Sequence, residues 1–161
     1  MLVKELMTGA PATCRPETNL GAAVEILWNR NCGFLPVVDA EEKVIGVVTD
    51  RDICIAMGTH NRLPGDLSVG EIATRRVFTC GPEDEIHEAL YTMANKQVRR
   101  LPVVNKENVL EGVLSMDDVV THGDLNKWEG CCELSAEEII RSLKKLYGRQ
   151  FLTVHTRAAA A

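Results

Sequence analysis

Shifted by 66 positions, the chain falls on itself. Thr13-Cys14 lands on Thr79-Cys80, Pro16 on Pro82, LPVV at 35–38 on LPVV at 101–104, Gly46-Val47 on Gly112-Val113, and Asp52 on Asp118. No gap is needed between Val3 and Ile53. Self-similarity at one fixed period means that one supersecondary unit occurs more than once. With only two copies, a closed pseudo-symmetric pair is expected rather than a solenoid.

Each copy reads alike. A short amphipathic turn (VKELM at 3–7, VGEIA at 69–73) leads to a brief extended piece ending at Cys14 or Cys80. A helix follows, with Thr18 or Asp84 as its expected N-cap. Its apolar face is Leu20, Ala23, Val24 and Leu27 in one copy and Ile86, Ala89, Leu90 and Met93 in the other, at helical spacing. Two Val-rich strands come next, FLPVV to VIGVV and RLPVV to VLEGVL, and a second helix starts at Thr49 or Ser115. The order is β-α-β-β-α, and strands apolar on both faces imply a sheet covered by helices, an α/β (α+β) architecture. The division expected is repeat 1 over 1–57, a Gly- and Pro-containing linker over 58–68, and repeat 2 over 69–123. An extension over 124–150 carries an amphipathic helix that starts at a Ser135/Glu138 capping box and ends at Gly148. That helix packs either on its own chain or on a second copy. The tail is 151–161, whose terminal alanines read as a cloning remnant.

At 161 residues and 45% apolar composition, a packed core is expected. The net charge of −5 argues against a general nucleic-acid binder. No segment approaches the ~20 apolar residues of a membrane span, and no secretory leader is visible. A cytoplasmic protein with reduced thiols is expected. The six cysteines contain no C-x-x-C pair and the four histidines are scattered, so no metal site is expected. Cys131-Cys132 is the pair most open to oxidation. No nucleophile–base set or G-x-x-x-x-G-K-[ST] loop occurs, which speaks against an enzyme.

The candidate site lies in GVVTDRDI, 46–53. Thr49 and Asp52, like Ser115 and Asp118, have capping-box spacing. Such a pair after a strand can also grip a vicinal diol, because a carboxylate accepts two hydroxyl protons. Arg99 and Arg100 precede the strand that leads to Ser115, and guanidinium groups suit phosphate. A diol binder beside a phosphate binder suggests a nucleotide.

The paired motifs, each preceded by [FR]-L-P-V-V, make the chain resemble tandem CBS-domain proteins, among them small stand-alone bacterial CBS pairs. The resemblance covers about Val3 to Val120. It implies two repeats packed about a pseudo-twofold axis, with two clefts that bind adenosyl ligands (AMP, ADP, ATP, NAD or S-adenosylmethionine), and a homodimer that signals to a regulated protein. Thr49 and Asp52 would hold ribose in one cleft and Ser115 and Asp118 in the other. Arg99 and Arg100 would contact phosphate, and the region of Thr13, Phe78 and Thr79 would frame adenine. Because Gly33 and Phe34 stand where the second copy has Arg99 and Arg100, the Ser115/Asp118 cleft is expected to favour phosphorylated ligands. Two other readings remain open. One is a structural dimerisation module whose pairs are only helix caps. The other is a thiol or metal sensor built on Cys14 and Cys80.

Overall fold

The protein is described by a computed structural model that covers residues 1–122 and 135–158. Cys131-Cys132, with the expectation attached to it, lies outside the described residues. The two repeats form as expected. In the first, α1 (Leu20–Asn29) leads to β2 (Phe34–Val38), β3 (Val44–Thr49) and α2 (Asp50–Thr59). In the second, α4 (Ile86–Lys96) leads to β4 (Arg100–Val104), β5 (Leu110–Ser115) and α5 (Met116–His122). The extended pieces before the helices make single parallel bridges, Cys14 to Val37 and Cys80 to Val103. A short β1 (Thr8–Gly9), a four-residue α3 (Val69–Ile72) and a long α6 (Ala136–Ala158) complete the elements.

The two hairpins pair in the same register: Phe34 faces Thr49 as Arg100 faces Ser115, and each has an irregularity before its last valine. Their turns meet each other. Val44 N–H donates to the Asn108 carbonyl at 3.1 Å and Leu110 N–H to the Glu42 carbonyl at 3.1 Å, so the pseudo-twofold axis passes between the turns.

The opening segments are exchanged between repeats. Val3 and Leu6 are buried in the second core with Ile86, Met93 and Leu101, while Leu67 and Val69 are buried in the first with Leu20, Leu35 and Val48. The backbone bonds repeat the exchange at the same shift. Val3 N–H donates to Asp84 O (3.0 Å) as Val69 N–H donates to Thr18 O (2.8 Å), and Ile86 N–H to Met1 O (3.1 Å) as Leu20 N–H to Leu67 O (2.9 Å). Gly112 and Gly46 make room for the incoming chain. A Cβ at Gly112 would sit 2.7 Å from Met7 Sδ and 3.0 Å from Thr8 O, and one at Gly46 would sit 3.4 Å from Thr74 O. β1 extends the second sheet as β1-β5-β4. Thr74 bridges Val47 at the matching place in the first.

This exchange corrects the expected helix caps. Thr18 and Asp84 are turn residues: Thr18 Oγ1 accepts from Arg15 N–H at 3.0 Å and an Asp84 carboxylate oxygen accepts from Gly81 N–H at 2.7 Å. The N-caps are Asn19, which accepts from Ala22 N–H at 2.9 Å, and Glu85, whose side chain makes no cap bond.

Of the expected apolar faces, only Val24 is largely open, 45% exposed. Its mate Leu90 is covered, since α6 packs on α4 and buries Ile139 and Leu146 in the second core. Gln97 Nε2 donates to Lys145 O at 2.8 Å, and Glu138 lies 3.5 Å from His87 Nδ1. The C-terminal helix therefore packs on its own chain. It begins at the Ser135/Glu138 capping box, with Ser135 N–H to Glu138 Oε2 at 3.2 Å and Glu138 N–H to Ser135 Oγ at 3.3 Å. It runs through Gly148 rather than ending there. One glycine costs a helix only about 1 kcal/mol, which the helix formers on both sides can offset. Among the described residues, no helix is long and apolar enough to cross a membrane.

Leu67 lies in the expected linker but is fully buried in the first core. Leu67→Ala should therefore lower unfolding stability by roughly 2–5 kcal/mol. A shift in the denaturant midpoint at unchanged slope would show it; a surface-sized effect below about 0.5 kcal/mol would mean that the segment does not close that core.

Candidate functional site

Both Thr/Ser–Asp pairs close as capping boxes. Thr49 Oγ1 donates to Asp52 Oδ2 at 2.7 Å, Thr49 N–H donates to the same oxygen at 3.0 Å, and Asp52 N–H donates back to Oγ1 at 3.2 Å. In the second copy the corresponding distances are 2.6, 2.8 and 3.1 Å. In each box a single carboxylate oxygen, Oδ2, takes both bonds. Asp118 Oδ1 is 3.5 Å from Thr8 Oγ1 of β1. Both boxes sit where a strand enters a helix, and both are half-buried.

Each box opens onto a cleft built across the two repeats. The cleft at Thr49 and Asp52 has a volume of about 290 Å³. Its far wall comes from the second repeat: Val98, Arg99, Arg100 and Pro102. The exchanged segment adds Thr74, Arg76, Val77 and Phe78. The cleft at Ser115 and Asp118, about 420 Å³, is walled by Cys32 and Phe34 of the first repeat and by Thr8 and Ala10–Ala12 of the opening segment. Arg30, Arg100 and Asp117 complete its charged lining.

This arrangement corrects the expected pairing of Arg99 with Ser115 and Asp118. Arg99 immediately precedes β4 of the hairpin that ends at Ser115, but it lines the Thr49/Asp52 cleft. Twofold packing sets the start of one repeat's strand against the other repeat's box, and neighbouring residues point to opposite sides. Arg100 lines both clefts. It pairs with Ser115 across β4–β5, and its guanidinium lies 3.8 Å from Asp117. The expected charge order of the clefts is thereby reversed. The lining at Thr49 holds three guanidinium groups against one carboxylate, and that at Ser115 holds two against two.

Phe78 lines the Thr49 cleft, with Arg76 Cζ 5.4 Å and Lys96 Nζ 5.2 Å from its ring centroid. Thr79 and Thr13 line neither cleft; their neighbours Val77, Phe78 and Ala10–Ala12 do. Thr8, Thr74, Arg30 and Arg76 are cleft-lining residues that sequence reasoning did not place in a site, and Phe34, noted only as the mate of Arg100, lines both clefts. Thr8 and Thr74 carried a usable signal, because they too are 66 apart.

Cys14 and Cys80 do not meet. Each is buried in its own core. Burial pushes the Cys14 thiol up to about 11. Burial first, and the charge of Asp84 second, push Cys80 up to about 12. The thiolate is the form that attacks or ligates, so both are inert at neutral pH. Among the described residues, no group of three or more His, Cys, Asp or Glu is placed to hold a metal ion.

Comparison with known proteins agrees with the two-repeat architecture. The CBS domain model matches residues 3–58 and again 69–124. The CBS domain-containing protein YhcV of Bacillus subtilis is 31% identical over 129 residues, spanning 80% of this chain and 89% of its own length. Among solved structures, the CBS domain pair of protein MJ0100 in complex with 5-methylthioadenosine and S-adenosyl-L-methionine superposes with a TM-score of 0.69. It is 26% identical over 75% of this chain and 94% of that one. CBSX2 in complex with AMP superposes with a TM-score of 0.65 at 25% identity, over 74% of this chain and 93% of that one. The chain belongs to the CBS-domain family as a tandem pair.

The thiol chemistry can be checked on the folded protein at neutral pH. A thiol-specific reagent should label exposed Cys54 quickly, while Cys14 and Cys80 should react only at the rate of unfolding. Labelling of Cys14 or Cys80 as fast as Cys54, read by peptide mass analysis, would restore the thiol-sensor reading.

Proposed function

We propose that the chain is a regulatory module that binds an adenosyl ligand in the clefts between its repeats and passes the binding on to another protein as a change in their relative orientation. The reading rests above all on one observation: a hydroxyl–carboxylate box at a strand-to-helix junction opens onto a cleft with arginines, and does so twice at one shift. AMP, 5-methylthioadenosine and S-adenosylmethionine in the related CBS pairs support the ligand class. ADP, ATP and NAD share the same adenosyl part.

In this reading Asp52 and Asp118 accept the ribose hydroxyls, with Thr49 and Ser115 beside them. In each box the cap bonds converge on Oδ2; in the second box a ribose hydroxyl would share Oδ1 with Thr8 Oγ1, which lies 3.5 Å from it. Phe78 offers an aromatic face to the base. The phosphates of a nucleotide belong to the cleft at Thr49 and Asp52, where Arg76 and Arg99 stand. A ligand shifts the arrangement of the repeats only by its differential affinity for the two arrangements. The module acts without catalysis, as a homodimer in the cytoplasm, on a regulated protein.

Calorimetric titration with AMP, ADP, ATP, NAD and S-adenosylmethionine, with GTP as control, tests this. At least one adenosyl ligand should bind saturably. Arg99→Ala should weaken a phosphorylated ligand about tenfold or more, the scale of a lost charged hydrogen bond. Asp52→Ala should weaken it similarly and lower stability by about 1 kcal/mol through the lost cap. If Asp52→Ala lowered stability while no ligand bound the parent protein, the pairs would be helix caps alone and the dimerisation reading would stand.

A further inference from the structure

α1 is open on one face, where Trp28 is 84% exposed, and no described element covers it. Beside Trp28, between α1 and α2, lies an open pocket of about 630 Å³, larger than either cleft. Its walls include Val24, Leu27, Ile53 and Cys54, and Asp50 adds a carboxylate. The mated face of α4 is covered by α6, and the residue at the position of Trp28 there is Ala94, small enough to let a helix come close. A helix cannot lie on α1 in the same way, because the indole projects where Ala94 leaves space. A cover for α1 needs a hole for that ring, and the chain carries such a hole beside it.

We propose that a second copy of the chain covers this face about a twofold axis, with Trp28 of each copy seated in the other's pocket between α1 and α2. This gives the homodimer of the reading above its contact surface, and it rests on that part of the reading alone, not on the ligand. A twofold interface has to be self-complementary, and this face is so in shape, polarity and charge. An indole has an apolar body and one N–H donor, which usually finds an acceptor when buried. The pocket offers apolar walls and Asp50 Oδ2, which takes no bond among the described residues, whereas Oδ1 accepts from Arg51 N–H at 2.7 Å. Gly33 leaves room for that carboxylate, since a Cβ there would sit 2.9 Å from Oδ2. Exposed Glu25 on α1 and exposed Arg51 on α2 have no ion-pair partner among the described residues. Seating α1 of one copy over the groove of the other brings these opposite charges together. Each tryptophan contributes roughly 150–250 Å² of surface, a large share of the about 800 Å² per partner in a standard interface.

Sedimentation equilibrium of the full chain over the micromolar range tests this. The chain should dimerise, and Trp28→Ala should raise the dissociation constant about thirtyfold or more, the scale of a tryptophan hot spot. Tyr91→Ala, at an exposed position of α4, should leave it unchanged. Glu25→Lys and Arg51→Glu should each weaken the dimer, and the two together should restore it. In a Trp128→Phe background, Trp28 emission should move to shorter wavelength as the dimer forms. Cys54 should be labelled fast in dilute protein and several-fold more slowly in the dimer. A dimer as tight in Trp28→Ala as in the parent, or one in which Trp28 emission stays that of an indole in water, would overturn the surface and leave the homodimer. Emission already shifted in dilute monomer would put another part of the chain on this face and overturn the proposal too. A chain that stays monomeric at submillimolar concentration would overturn both surface and homodimer. The adenosyl reading is tested separately by titrating Trp28→Ala with the same nucleotides, since Trp28 lines neither cleft.

Discussion

Neither repeat closes its own core. Val3 and Leu6 fill the second and Leu67 and Val69 fill the first, all at 5% exposure or less. Each of these side chains contributes about 1.5–3 kcal/mol through burial, and backbone groups of Val3, Leu67 and Val69 are bonded to the residues that lead into the helix of the other repeat. Separation of the repeats would open both cores at once. The contacts that join the repeats are therefore the same ones that make each repeat stable, and any change in their relative orientation has to keep both cores closed. The clefts share in that coupling, since Thr8 and Thr74 ride on the exchanged segments and line the clefts that hold Asp118 and Asp52.

Much of this was legible in the sequence, and the reason is periodicity. Alternating and helical apolar patterns announce strands and helices wherever one face is buried, so α1, α4 and the two hairpins fall where their spacing puts them. The exchange was not legible. VKELM and VGEIA announce amphipathic turns, but amphipathicity does not say which core a turn serves. Thr18 and Asp84 have good capping chemistry, yet their carbonyls are taken by Val69 and Val3 from the other segment. That long-range pairing moves the cap one residue on. Gly148 failed as a stop signal for a local reason: α6 has strong helix formers on both sides of it.

The site was legible in its residues but not in its grouping. Both boxes form with the reciprocal bonds that their spacing demands. The helix-cap reading of these pairs holds in both boxes, and the ligand grip stands beside it as the proposal, since the cap bonds converge on one carboxylate oxygen. In the sequence Arg99 groups with Ser115 only because it stands in the same repeat, just before the strand that leads to it. The cleft, however, is a feature of the junction between repeats. Which arginine faces which box follows from the twofold packing, which no local pattern encodes.

A symmetric scaffold carries unsymmetric chemistry here, and the asymmetry has two sources. One is substitution at mated positions: Gly33 for Arg99 and Phe34 for Arg100 leave the strand starts with both arginines on one side, while Arg30 and Arg76 stand in different clefts. The other is addition. α6 covers α4 and has no counterpart on α1 among the described residues, so Leu90 is 3% exposed where Val24 is 45%, and Trp28 on the same open face is 84% exposed where its mate Ala94 is 4%. The backbone tolerates both because each repeat's core is completed by a segment that neither change touches. Duplication supplied two equivalent clefts, and side chains that carry little of the packing were then free to diverge. Among the described residues no buried core residue is charged, so the charge of the lining differs between the clefts while the two boxes keep one hydrogen-bond geometry.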